Sequence, residues 1–297
     1  MISFAYRAFS TVVQEKSFYK AAKALDVTPS AVSHAINQLE KFLGFSVFIR
    51  NRAGVKLTAD GNAILPIIQD IINNQHRLEQ EAANITGLNA GSVRIGAFSS
   101  VCINWLPQII SSFREQYPDI LLSVDQNSYD NIGTDAKIGT IDIGFTCDPI
   151  IEKLIKVPLL RDQIYCITPE SFQPLNGKTI TVDDVEHQSF ILQRSDYYGD
   201  TKKVLDRYNV TNAALQFSID DQSMLAMVKS KLGMGILPKL ALSDIPDGVS
   251  IYPFDQKYYR TIYLVINSVQ IKTPATRRML DHVKAFIQAK YPNGILD

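Results

Sequence analysis

The chain has 297 residues, with 30 Lys+Arg and 30 Asp+Glu, and therefore a formal net charge of zero. A hydrophobic content of 46 % and a charged content of 20 % are typical of a soluble globular protein and exclude a disordered tail or a fibre. The length predicts about two domains, or three if one is small. Evenly spread, zero net charge would also argue against a nucleic-acid partner, because binding to phosphates needs surplus Lys and Arg.

Three further features of the sequence indicate the compartment. The N-terminal segment lacks the basic cluster and apolar run of a signal peptide. The longest apolar runs are far shorter than the ~18 residues that a membrane span needs. Cys102, Cys147 and Cys166 are odd in number and lie in apolar contexts, which favours reduced thiols. The sequence therefore predicts a cytoplasmic protein with no membrane partner.

Basic and acidic residues are distributed unevenly along the chain. Up to Thr58 the chain has eight basic and three acidic residues, a net charge of +5, so the remainder carries −5. This asymmetry is typical of a basic binding module joined to a second domain of opposite charge. Counted by segment, the charge makes nucleic acid a candidate partner again.

Three short helices are predicted in the basic segment. Apolar residues recur at steps of three and four over 4–13, as on the buried face of a helix. Ser17 can cap a second helix, and Thr28 can cap a third that has Pro29 at its first position and runs to about Leu43. Two short helices joined by a tight turn form a helix-turn-helix, whose second helix lies in the DNA major groove.

A basic hairpin is predicted after the third helix. Gly44 ends that helix, and two short strands are expected at 45–49 and 55–57. Arg50 and Arg52 lie in the turn between them. The hairpin therefore has the composition of a wing that contacts DNA phosphates.

The segment from Ser17 to Gly61, SFYKAAKALDVTPSAVSHAINQLEKFLGFSVFIRNRAGVKLTADG, resembles the winged helix-turn-helix of LysR-type transcriptional regulators. It departs from the family at Ala53, where many members carry a second wing arginine, and Arg52 stands one position earlier. The resemblance implies an α/β protein with an N-terminal winged helix-turn-helix, a long linker helix and a C-terminal effector domain of two lobes, similar to periplasmic binding proteins.

Double-stranded DNA is the partner that this resemblance implies. Contacts from Lys and Arg to phosphates supply salt-dependent affinity, whereas contacts to base edges supply specificity. The alternative is a helical protein-interaction module whose lysines are simply solvated. The predicted DNA-binding residues are Thr28, Pro29, Ser30, Ser33, His34, Asn37, Arg50 and Arg52.

A linker helix and hinge are predicted over 59–90, with Thr58 as N-cap and Pro66 as a point of kinking. An apolar stripe in alternating steps of four and three predicts a partner helix, and hence a dimer. The family resemblance implies antiparallel pairing, a homodimer or homotetramer, and a pseudo-palindromic DNA site. The alternative is that the stripe packs on its own chain. The stripe consists of Ile64, Ile68, Ile71, Gln75, Leu78, Ala82 and Ile85.

The remainder, 91–297, alternates between predicted strands and helices, which indicates a doubly wound α/β domain. We expect lobe I at about 91–162 plus 267–297 and lobe II at about 163–266. Residues 1–58 are then the DNA-binding domain.

A small-molecule effector, with a carboxylate as first choice, is expected between the lobes. Ligands of α/β sheets bind beyond the carboxyl ends of strands, where helix N-termini attract anions. Asn127 or Ser128 could add to the walls, and the alternative for every candidate is an N-cap, a turn or, for Arg194, an exposed ion pair. The predicted effector-binding residues are Ser99, Ser100, Thr146, Gln193 and Arg194.

No enzyme, metal or cofactor site is predicted. The four histidines lack metal-ligand spacing, and neither a Gly-rich phosphate loop nor a G-x-S-x-G elbow is present. A thiol switch at Cys102 or Cys147 is a possibility, but ordinary buried cysteines are favoured. The rival to a regulator is a small-molecule carrier or enzyme that uses the N-terminal helices only for assembly.

Overall fold

The computed structural model describes residues 4–51, 54–86, 90–186, 188–193, 199–210, 213–217 and 221–292. Within that part of the chain, no helix is both long enough and apolar enough to cross a membrane.

Residues 4–51 and 54–57 form the predicted three helices and a hairpin. Its first strand was predicted at 45–49 but spans Phe48–Asn51, so Arg50 lies in the strand, paired with Val55, and not in the turn. Ser17 accepts a hydrogen bond from Lys20 N–H and Thr28 one from Ala31 N–H, so both predicted N-caps are confirmed. Gly44 ends the third helix in the left-handed conformation (φ +83°), which a residue without Cβ adopts freely. The elements are α1 (Phe4–Glu15), α2 (Phe18–Ala24), α3 (Pro29–Leu43), β1 (Phe48–Asn51) and β2 (Gly54–Leu57).

The linker helix α4 (Ala59–Ile85) begins at its predicted cap, Thr58, and runs unbroken through Pro66. Its first half belongs to the core of the helix-turn-helix, because Leu65, Ile68 and Ile72 are buried there. The predicted stripe therefore divides into two faces, since two of its members, Ile64 and Ile68, pack on their own chain.

The other face of α4 is exposed. Leu78 is 69 % exposed and Ile85 84 %, whereas Ile71 is 41 % exposed. These three residues are spaced by seven, as on one side of a coiled-coil seam. None of the three is buried within the chain. We call Ile71, Leu78 and Ile85 the exposed stripe of α4.

The rest of the chain is an α/β domain. Its elements are β3 (Gly91–Ala97), α5 (Ser99–Asn104), α6 (Leu106–Gln116), β4 (Ile120–Gln126), α7 (Tyr129–Ile138), β5 (Ile143–Cys147), β6 (Ile155–Pro169), α8 (Val182–Val185), β7 (Phe190–Gln193), α9 (Asp200–Arg207), β8 (Ala213–Phe217), α10 (Asp221–Lys229), β9 (Gly235–Pro238), β10 (Val249–Pro253), β11 (Tyr259–Ile266) and α11 (Pro274–Lys290).

Two long strands, β6 and β11, pair side by side at the centre of this domain. The sheet order is β10-β6-β11-β5-β3-β4, with β9 also paired to β6. β3 is parallel to β4 and β5, as expected, but β11 is antiparallel to β5 and β6, so the sheet is mixed. β4 is an edge strand, and Leu121 on it is 73 % exposed.

The buried apolar residues form separate clusters in the two halves of the domain. One cluster is centred on β3, β5, α6 and α11 and includes Trp105, Phe145 and Met279. Two others lie around β7, β9 and α10 and include Phe190 and Leu237. β6 enters both regions, because Leu159 belongs to the first cluster and Ile164 and Cys166 to the second, whereas the core residues of β11 lie in the first.

A chain of buried polar side chains joins the helix-turn-helix to the α/β domain. Ser10 on α1 donates to Gln69 Oε1 (2.9 Å), and Gln69 Nε2 donates to Asn73 Oδ1 (3.2 Å), both on α4. Asn73 Nδ2 donates to the carbonyl of Gly139 (3.0 Å) at the end of α7. Buried polar groups need such partners, so the contact fixes how α4 meets the α/β domain.

This series of hydrogen bonds ends at the ion pair between Arg94 and Asp142. Arg94 Nη2 donates to Asn73 Oδ1 (3.0 Å) and to Asp142 Oδ1 (2.7 Å). Gly139 stands at φ +87° directly against the Asn73 amide, and a Cβ there would collide with it. Asn73 therefore connects three elements: α4, the strand that carries Arg94, and the turn after α7.

Asn73→Ala is expected to lower the free energy of unfolding by about 2 kcal/mol, because it removes the partner of the Gly139 carbonyl and of Gln69 Nε2 and one of the two acceptors of Arg94 Nη2. The matched control is Asn74→Ala, an exposed neighbour whose amide bonds only to Asp70 O within α4, and it should cost less than about 0.5 kcal/mol. Urea denaturation of the two variants measures both values. Equal costs would show that the Asn73 contacts contribute nothing.

Candidate functional site

The predicted recognition residues lie together on α3. Val32, Ile36 and Leu39 form the buried face of the helix. Ser30, Ser33, His34 and Asn37 follow at spacings of three and four on another face, where all but the half-buried Ser33 are exposed. The side chains hold both donors and acceptors, which is the chemistry that base edges in a major groove require.

The start of α3 has a structural role that is visible in its hydrogen bonds. Thr28 Oγ1 accepts from Ala31 N–H (3.2 Å) and from Ser30 Oγ (3.4 Å). Pro29 occupies the first helical turn and is exposed. Thr28 therefore acts as a cap in this conformation, and its proposed contact with DNA would have to be made by the same engaged hydroxyl.

One of the two predicted wing arginines, Arg50, lies among the described residues. The guanidinium of Arg50 lies 3.9 Å from the ring centroid of Phe18, at the start of α2, which fixes the direction of this exposed cation. Arg52 lies outside the described residues.

The predicted effector residues Ser100 and Thr146 are buried at the carboxyl ends of β3 and β5. Ser100 Oγ accepts a hydrogen bond from Arg260 Nη2 (2.9 Å). Thr146 Oγ1 donates to the backbone carbonyl of Tyr129 (3.0 Å). Ser99 is half-buried at the first position of α5. Strand order thus brings together residues that are 46 positions apart, at the carboxyl ends of two neighbouring parallel strands.

The central residue of this cluster, Arg260 on β11, was not singled out from the sequence. Its Nε and Nη2 donate to Asp162 Oδ2 on β6 (3.0 and 2.8 Å), and its Nη1 donates to Tyr129 Oη (2.8 Å). Burial acts to lower the pKa of Arg260, but Tyr129 and Asp162 raise it above its ordinary value, so the guanidinium stays charged. The sequence feature that could have indicated this pair is the single Arg in the apolar strand β11 and the single Asp in β6.

Other predicted positions are engaged elsewhere or not described. Asn127 Oδ1 accepts from Ser128 N–H (3.0 Å) and from Asn131 Nδ2 (2.8 Å), which is a turn at the start of α7. Gln193 ends β7, and its side chain and all of Arg194 lie outside the described residues.

Cys147 and Cys166 are buried and Cys102 is half-buried, and none of the three forms a disulfide. Burial, followed by the nearby Asp125 carboxylate, raises the pKa of Cys102 to about 11, and Cys166 is raised further in the same direction by burial. A protonated thiol is a poor nucleophile at neutral pH, so these sites lack the activation that redox-sensing cysteines show. Among the described residues no cluster of His, Cys, Asp and Glu could hold a metal ion.

Two family models match the chain. Residues 5–62 match the bacterial regulatory helix-turn-helix protein of the lysR family. Residues 86–288 match the LysR substrate binding domain. The chain belongs to the LysR family of transcriptional regulators. The predicted family, the fold class and the combination of a DNA-binding helix-turn-helix with a substrate-binding domain are therefore confirmed, and the family is one of regulators rather than enzymes.

Relatives resemble this LysR-type chain over its whole length. The uncharacterized HTH-type transcriptional regulator YvbU of Bacillus subtilis is 27 % identical over 290 residues, covering 96 % of this chain and 98 % of that protein. The probable HTH-type transcriptional regulator LrrA of Synechococcus elongatus is 28 % identical over 275 residues, with 92 % of each covered.

Two solved structures show the same fold. Full-length OxyR from Pseudomonas aeruginosa has a TM-score of 0.70 at 22 % identity and covers 97 % of this chain and 95 % of its own. Full-length CbnR, solved in complex with its target DNA, has a TM-score of 0.64 at 19 % identity, with coverage of 96 % and 100 %.

Asp162→Asn is expected to lower the free energy of unfolding by about 3–5 kcal/mol, because it leaves the Arg260 cation buried without its counter-charge. The matched control is Asp200→Asn, which removes an ion pair with Lys203 at the surface and should cost at most about 1 kcal/mol. Thermal or urea unfolding compares the two. If both variants are equally stable, the buried pair does not hold the domain together.

Proposed function

We propose that this regulator binds a pseudo-palindromic site in double-stranded DNA as a homodimer or homotetramer, and that a small-molecule effector between the two lobes controls the binding. The observation that carries the proposal is the polar face of α3, which presents Ser30, His34 and Asn37 to solvent. This face belongs to a segment of net charge +5. A helix of that kind fits a major groove. The proposed place of action is the cytoplasm, where the DNA is.

The proposed division of the chain assigns 1–58 to DNA binding and 59–90 to the linker helix and hinge. The effector domain is 91–297, with lobe II at about 163–266 and lobe I in the remainder. Separate apolar clusters support a division into two lobes, but the bound at 266 needs correction, because Ile262, Leu264 and Ile266 of β11 pack in the cluster of β3 and β5 and so belong to lobe I.

The proposed effector carries a carboxylate. Arg260 donates to Ser100 Oγ, and a hydroxyl that accepts one hydrogen bond still has its own proton to donate to an anion. Ser99 lies beside it at the opening of α5, where backbone N–H groups point outward. The proposed effector-binding residues are Ser99, Ser100 and Thr146 on lobe I, with Gln193 and Arg194 on lobe II.

Control of DNA binding is proposed to work by a population shift. An effector that contacts both lobes favours one angle between them, and only that difference in affinity can move the equilibrium. The angle is transmitted because Asn73 on α4 bonds to Gly139 and Arg94 of lobe I. A changed position of α4 alters the spacing between two copies of α3 and hence the fit to two half-sites.

The double variant Ser33→Ala, Asn37→Ala is expected to lose about 10- to 100-fold in affinity for specific DNA, because each good base contact contributes about 1–3 kcal/mol of discrimination. Binding to random DNA at low salt should persist, since phosphate contacts supply it. The measurement is an electrophoretic mobility shift with DNA from upstream of the protein's own coding region and with random DNA.

The matched control for this experiment is Ser171→Ala, an exposed serine of the effector domain. Retardation by the double variant that equals wild type would reject Ser33 and Asn37 as readers of sequence. A wild-type chain that binds no DNA even at low salt would reject the regulator itself in favour of a carrier that uses its helices for assembly.

Leu78→Glu is expected to dissociate the oligomer, because it places a charge in the exposed apolar stripe of α4 that a partner helix would cover. Leu175→Glu is the matched control, since Leu175 is 79 % exposed on the effector domain. Sedimentation velocity at micromolar concentration should give a monomer for the first variant and the wild-type species for the second. A wild-type sedimentation coefficient for Leu78→Glu would show that assembly does not use this face.

A further inference from the structure

A cavity of about 400 Å³ lies against the two long strands and is separate from the effector-cleft residues. Its walls carry three cations from three elements: Arg161 on β6, Lys239 directly after β9, and Lys290 at the end of α11. Tyr259 and Tyr291 add two aromatic rings. We call this cavity, defined by these five residues, the basic groove. Ser99, Ser100, Thr146 and Tyr129 are not among its lining residues.

Two of the cations are held in place. The guanidinium of Arg161 lies 4.2 Å from the ring centroid of Tyr259, so its plane is fixed against the wall. Lys290 Nζ donates to the carbonyl of Asn104 (3.3 Å) and to Gln108 Oε1 (3.2 Å). In the described part of the chain none of the three cations forms an ion pair.

The single acidic side chain in the wall does not neutralise them. Asp162 Oδ2 accepts from Nε and Nη2 of Arg260, and Asp162 Oδ1 accepts from Leu240 N–H (3.1 Å). Its negative charge is therefore matched by Arg260, and its lone pairs point to those partners. The three cations give the groove a positive potential inside a segment whose net charge is −5.

We propose that the basic groove is a second ligand site, which binds a small anion bearing two or more phosphate or carboxylate groups. The volume lies in the range of about 300–1,000 Å³ that small-molecule sites occupy. Converging cations on separate elements suit a multiply charged ligand, since each can form a charge-assisted hydrogen bond with a different group. The tyrosine rings can cover the uncharged part of the ligand. This site goes beyond the effector cleft and does not depend on DNA binding.

The groove and the cleft share one ion pair. Asp162 lines the groove, while its partner Arg260 bonds to Ser100 and Tyr129 on the cleft side. An anion in the groove therefore acts on the same pair that an effector in the cleft contacts. By linkage, any change that one ligand makes in the affinity of the other must be reciprocal.

Isothermal titration calorimetry of the full chain, without DNA or divalent cations, tests the groove with citrate and pyrophosphate as probes. Arg161→Gln and Lys239→Gln are each expected to weaken binding of the preferred probe about tenfold, the loss of one charge-assisted contact. Lys178→Gln is the matched control, because it removes an exposed lysine that lies outside the groove. Ser99→Ala is the control for the cleft. Lys178→Gln should bind both probes as wild type does, and Ser99→Ala should do so for pyrophosphate, which has no carboxylate for the proposed cleft.

Every other pattern overturns the proposal. Failure of the wild-type chain to bind either probe at millimolar concentration removes the site. An equal loss in Lys178→Gln shows nonspecific attraction to surface charge, and a loss in Ser99→Ala with unchanged groove variants assigns the anion to the cleft. The side chain of Lys239 is exposed, so Lys239→Gln keeps the test valid should Arg161→Gln fail to fold. Preference between citrate and pyrophosphate distinguishes carboxylate from phosphate ligands.

Discussion

The buried ion pair between Asp162 and Arg260 is the constraint on which the effector domain depends. Both side chains are almost fully buried, at 3 % and 7 % exposure, and they face each other across β6 and β11. Charges removed from water are tolerated only when the geometry satisfies them. Here the guanidinium reaches Ser100 and Tyr129 in lobe I, while the carboxylate accepts from the backbone that follows β9. The pair thus joins elements of both lobes at the strands that connect them.

A second polar network fixes the other junction of the molecule. The two faces of α4 differ: the buried face belongs to the core of the helix-turn-helix, whereas Ile71, Leu78 and Ile85 are exposed and lie outside that core. Asn73 sits where the buried face meets lobe I. Apolar contacts alone would allow α4 to slide or rotate, because they are not directional. Directional hydrogen bonds to Gly139 and Arg94 remove that freedom, so they hold α4 in one position against lobe I.

Local signals in the sequence predicted local structure well. Ser17, Thr28 and Gly44 act at helix ends through their nearest neighbours, and each was found where its side chain or backbone was expected to act. The direction of β11 and the role of Arg260 depend instead on residues about 100 positions away, to which periodicity is blind. Ile68 shows the same limit: its spacing fits a dimer seam, but its actual neighbours are in its own chain.

The net charge of the whole chain does not show how the charges are distributed among its segments and sites. The whole chain sums to zero and the first 58 residues to +5. Within the remaining segment, of charge −5, Arg161, Lys239 and Lys290 converge on one groove, and the single acid in its wall is already matched by Arg260. A ligand responds to the potential where it binds, and that potential depends on which charges are paired as well as on how many there are. Because that pairing runs through Asp162, an anion in the groove and an effector beside Ser100 would act on the same two side chains, and the angle between the lobes would report both.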